Sequence, residues 1–158
     1  PHLQQVGFDL AAASAAMMLL AFFGMSSKII FGRLSETITA RLAFVVILVL
    51  QGVGLTVLIV SGGSTTTWAG IVVLGLGMGG VGALTPLVIA DTFGLRQFGS
   101  IMGLTRMPIT VPVLIGPLMA GVIFDSTGGY NLMFLITIGM LAISAGAFLL
   151  LQTPARAL

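Results

Sequence analysis

Five long apolar runs, separated by short polar connections, limit what this chain can fold into more than any other feature. They cover residues 10–31, 41–60, 68–90, 99–124 and 131–151. Each holds about 20 residues or more, enough at 1.5 Å per residue to cross the roughly 30 Å hydrocarbon core of a bilayer as an α-helix. The runs are continuously apolar rather than alternating, which selects helices over the strands of a membrane barrel. The connections at 32–40, 61–67, 91–98 and 125–130 are rich in Ser, Thr, Gly and Asp, the residues of turns. Only 6% of the 158 residues are charged and 58% are apolar, against about 25% charged in soluble domains. A fold this small leaves much of its surface exposed, so lipid must be the solvent for most of the chain. The expected fold is all-α, a polytopic transmembrane bundle of five spanning helices. A soluble enzyme, a disordered tail and a nucleic-acid binder are excluded, and the net charge of +2 forms no basic patch. Without Cys there is no disulfide framework and no thiolate metal site.

The cations set the orientation. Lys28, Arg33 and Arg41 flank the first connection, Arg96 lies in the third, and Arg156 follows the last run. The second and fourth connections carry no cation. The odd side is therefore expected to be cytoplasmic, with the C-terminus inside. Trp68 and Tyr130 open helices on the other side, as interfacial aromatics do. Residue 1 is Pro, and no charged segment precedes a cleavable apolar stretch, so no signal peptide is expected. An odd span count that starts outside leads to the expectation of a C-terminal part of a larger membrane protein, with a preceding helix and an N-terminal half missing.

Small residues indicate close helix packing. The third run contains Gly70, Gly75, Gly77, Gly79, Gly80 and Gly82. Gly75 and Gly79 share a face and let a neighbouring helix approach, as do Gly116 and Ala120 in the fourth run. Pro86 in the third run and Pro108, Pro112 and Pro117 in the fourth each remove a backbone hydrogen bond and favour a kink. Kinked, glycine-rich helices suit a protein whose helices rock, although Gly and Pro are also commoner in membrane helices generally. Gly75, Gly77 and Gly80 match the spacing of a dinucleotide fingerprint, but no strand precedes them, and helix packing is the expected role.

Arg106 is the most informative side chain. It lies about 12 Å into the fourth run from its cytoplasmic end, which places it near the midplane. There an Arg costs about 2.5–3.5 kcal/mol to insert. Its face reads Gly99, Gly103, Arg106, Thr110 and Pro117, a small and polar stripe of the kind that lines a cavity. None of Asp9, Glu36, Asp91 or Asp125 lies at matching depth. An anionic ligand, a water-filled cavity, a residue outside this chain or snorkelling remain as ways to offset the charge. Lys28, near the cytoplasmic end of the first run, either snorkels or adds a second cation to the same cavity. Asp125 and Asn131 bracket an outer turn, Asp91 closes the third helix near Gly94, and His2 reads as a loop residue.

The connection from Gly32 through Arg33, Leu34, Ser35, Glu36, Thr37, Ile38, Thr39 and Ala40 to Arg41 resembles the cytoplasmic loop motif of the major facilitator superfamily, G-x-L-a-D-x-x-G-R-R. Glu36 stands for the Asp, and Thr39 and Ala40 depart from the pattern. The stretch Phe98, Gly99, Ser100, Ile101, then Gly116, Pro117, Gly121, Asp125, Thr127, Gly128 and Tyr130 is similar to the penultimate helix and outer turn of the monocarboxylate and oxalate/formate-exchanger branch. The resemblance implies a twelve-helix transporter, of which these would be the eighth to twelfth helices. It also implies a carboxylate bound by cations on the eighth and eleventh helices, at positions similar to Lys28 and Arg106. Gly32, Glu36 and Arg41 would belong to a loop network that holds one access state.

The expected function is secondary transport of small, monocarboxylate-like organic anions by alternating access, in a bacterial inner membrane. Arg106, Lys28 and Thr110 are the expected substrate-binding residues. The expected partners are the lipid bilayer, the anion, a coupling proton and the rest of the same chain. No nucleic acid, no cofactor and no metal are expected. The alternative is a transporter of the same fold for neutral or drug-like substrates, with Arg106 a structural cation. A membrane enzyme has little support, since there is no HExxH and no embedded carboxylate pair.

Overall fold

The computed structural model describes residues 10–150, and side-chain surroundings from residue 11. His2, Asp9, Leu151 and Arg156 lie outside the described residues. Five helices follow one another: α1 (Leu10–Thr37), α2 (Ala40–Val60), α3 (Ser64–Phe93), α4 (Phe98–Thr127) and α5 (Asn131–Leu150). All five are long and apolar enough to cross a membrane. The chain is therefore a multi-pass helical membrane protein. The α1–α2 and α3–α4 turns and the end of α5 lie together at one end, called the basic end here because Arg33, Arg41 and Arg96 sit there.

The helices outrun the apolar runs. α1 continues through Gly32–Thr37, α3 starts at Ser64 rather than Trp68, and α4 ends at Thr127 rather than Phe124. Hydropathy reports where lipid is the solvent, whereas backbone hydrogen bonding runs on into the polar interface. Hydroxyls support these extra turns. Ser35 donates to the Gly32 carbonyl at 2.6 Å, and Thr37 donates to that of Leu34 at 2.9 Å. Thr39 caps α2, its hydroxyl oxygen accepting from the Leu42 amide at 3.3 Å. At the other end Gly128 closes α4 in the left-handed region, φ 72°, its amide donating to the Phe124 carbonyl at 2.8 Å. Thr127 donates to the Ile123 carbonyl at 2.6 Å. Thr127 and Gly128 thus make the closing contacts of the turn between Asp125, exposed in the last turn of α4, and Asn131, which opens α5.

α3 is the central helix, with α1 on one side and α2 on the other; α5 covers the far side of α2. Two apolar clusters hold the group together. Phe31, Ala43, Ile47 and Leu84 form one nearer the basic end, and Ala16, Leu58 and Ile71 form the other. Trp68 and Phe134 pack on the second cluster, so the Trp68 ring also meets the bundle interior. α4 stands apart. It touches only α3 and α5, its neighbours in sequence, and none of its residues is buried.

Candidate functional site

The glycines of α3 decide how close its neighbours come. A Cβ on Gly79 would overlap the Gly24 backbone of α1, and one on Gly75 would come within 3.1 Å of the Leu20 carbonyl oxygen. On the α2 side, a Cβ on Gly77 would lie 2.6 Å from Gln51 Cγ, and one on Gly80 2.9 Å from Ile47. The residues of the apparent dinucleotide fingerprint therefore all meet neighbouring helices. Gly116 differs: open space lies where its Cβ would be. Pro86, Pro108, Pro112 and Pro117 are accommodated inside continuous helices.

Two embedded polar side chains that sequence reasoning did not single out for packing reach adjacent carbonyls at the centre of α3. Ser27 of α1 is fully buried and its hydroxyl donates to the Leu76 carbonyl. Gln51 of α2 donates from Nε2 to the Gly77 carbonyl at 3.1 Å. Interhelical hydrogen bonds of this kind join helices where lipid offers no hydrophobic drive. The available signal was a polar side chain set within each apolar run.

Arg106, Thr110 and Lys28 are all exposed from the bundle. Arg106 and Thr110 lie one turn apart on α4, and Lys28 lies on α1. α1 and α4 do not touch among the described residues, so no direct contact joins Lys28 to Arg106. Their depths nevertheless correspond. Lys28 lies nine residues before Thr37, about 13 Å from the basic end of α1, and Arg106 lies eight residues after Phe98, about 12 Å from that of α4. Arg106 sits about 10 Å from the centre of α4, and Lys28 about 7 Å from the centre of α1.

The loop motif is spread over two helices. Gly32 and Glu36 lie in the closing turns of α1, and Arg41 in the first turn of α2. Glu36 therefore ends a helix, where the dipole disfavours an acid. Arg41 donates from Nη2 to the Leu149 carbonyl at 2.6 Å. It thereby brings a cation to the C-terminal end of α5, where the dipole favours one. Among the described residues no group of three or more His, Cys, Asp or Glu side chains could hold a metal.

The family model of the Major Facilitator Superfamily matches residues 1–158. The chain belongs to the major facilitator superfamily. Curated relatives in it are monocarboxylate transporters. Monocarboxylate transporter 2 of Rattus norvegicus is 25% identical over 155 residues, covering 96% of this chain and 32% of the relative. Monocarboxylate transporter 13 of the same species is 32% identical over 155 residues, covering 94% and 33%. Monocarboxylate transporter 3 of that species is 37% identical over 82 residues, covering 52% and 16%. The chain spans about a third of the length of the first two.

Proposed function

We propose that this superfamily member contributes to secondary transport of small organic anions, monocarboxylates first, by alternating access. The observation that carries the reading is the pair of cations, Lys28 and Arg106, at corresponding depth on two helices whose cation-bearing faces the bundle leaves open. Embedded cations without an embedded acid favour an anionic ligand. Arg106 offers a planar fork that fits a carboxylate in two hydrogen bonds, and Lys28 adds a point charge. Thr110, one turn from Arg106, supplies a hydroxyl to the same face. The names of the relatives agree with the carboxylate.

Gly32, Glu36 and Arg41 are proposed to stabilise one access state, Arg41 partly through its contact with α5. A proton is the proposed coupling ion. The proposed setting is a bacterial inner membrane with the basic end cytoplasmic. The test is carboxylate uptake by the full-length protein carrying Arg106→Gln. Uptake is expected to fall at least tenfold, the loss of one charge-assisted contact of about 1.5–3 kcal/mol. Unchanged uptake contradicts the assignment and favours a neutral or drug-like substrate with Arg106 a structural cation.

A further inference from the structure

Lys28 is next in sequence to a buried hydroxyl that ties α1 to α3. The α1 residues that meet α3 include Leu20, Phe23, Gly24, Ser27 and Phe31, a single stripe at helical spacing. In the middle of that stripe Gly24 meets Gly79, backbone against backbone. Such a contact is close but smooth. Phe23 and Phe31 pack side chains against α3 on either side of it, and the Ser27 hydroxyl, 0% exposed, adds a directional bond to the Leu76 carbonyl. Hydrogen bonds restrict geometry where dispersion contacts do not.

We infer that Ser27 is the positioning residue for Lys28. Its hydrogen bond fixes the rotation of α1 on the glycine surface of α3 and so aims the ammonium at the substrate. This rests on the proposed role of Lys28 in anion binding. The geometry gives a measurable lever. Side chains reach about 5–6 Å from a helix axis, so a 20° rotation carries the ammonium about 2 Å, enough to lose a hydrogen bond.

The experiment is a double-mutant cycle in the full-length protein, reconstituted in liposomes, with radiolabelled lactate and pyruvate as probes. Ser27→Ala is expected to raise KM about three- to tenfold, the range of one interhelical hydrogen bond, with maximal rate per protein unchanged. Ser27→Thr keeps the hydroxyl and is expected to restore KM. In a Lys28→Met background, Ser27→Ala is expected to have no further effect, because a positioning residue acts only through the group it positions. An additive effect in that background, or no effect in the wild type, overturns the inference. A KM indifferent to Lys28→Met overturns the anion-binding role of Lys28 instead. Two measurements keep the inference testable if Ser27→Ala fails to reach the membrane or neither probe is carried. Ser27→Cys, a weak donor of similar size, takes the place of Ala. A Lys28→Cys protein is labelled with a membrane-impermeant maleimide in the Ser27 and Ser27→Ala or Ser27→Cys forms. A changed labelling rate supports the inference and an identical rate overturns it.

Discussion

At Gly79 the backbones of α1 and α3 are so close that one added methyl group would overlap the Gly24 peptide. Three positions further on, a Cβ at Gly82 would meet nothing within 4 Å. Gly79→Val is therefore expected to separate the two helices, at an overpacking cost of about 1–3 kcal/mol or more. Gly82→Ala is expected to be tolerated and, inside a helix, mildly stabilising. Thermal stability of the purified full-length protein checks both. Equal stability of the two variants would contradict the packing described. The four-residue spacing of Gly75 and Gly79 was legible in the sequence because close helix approach in lipid requires small residues at that period. The roles of Ser27 and Gln51 were not legible, because a polar residue in an apolar run does not name the carbonyl it will meet.

Among the elements, the five helices were legible as five apolar runs, since lipid selects for continuous hydropathy. Their ends were not. The closing turns of α1, from Gly32 to Thr37, are polar in sequence and helical in structure, and the same holds for the first turn of α3 and the last of α4. The loop motif was recognised from its residues, but its division between two helices was not. Nor was the reach of Arg41 to Leu149, because 108 residues separate them and no local pattern links the two. That contact joins α2 to α5 at the basic end, where the Phe44 and Phe148 rings also stack 4.6 Å apart. Arg41→Gln is expected to loosen α5 by about 1 kcal/mol, read as a lower thermal midpoint and faster proteolysis near the end of α5. Arg41→Lys, which keeps the charge and loses the fork, is expected to fall between. An Arg41→Gln protein as stable as the wild type would remove the contact from the account.

For the molecule as a whole, α1, α2, α3 and α5 form one packed group, and α4 lies outside it with no buried residue. Which helix would stand apart was not legible, because α4 carries as many Gly and Pro residues as α3, seven each. Charge pattern and depth were more informative. The sequence singled out Lys28 and Arg106, and the helix ranges put the two at similar distances from the basic ends of their helices. The account depends on Arg106 facing water rather than acyl chains. The most direct measurement is the labelling of an Arg106→Cys full-length protein by a membrane-impermeant thiol reagent, with and without excess lactate. The account predicts labelling from the side of the basic end and slower labelling when the carboxylate is present. A thiol that stays unlabelled from both sides, with and without lactate, would contradict it.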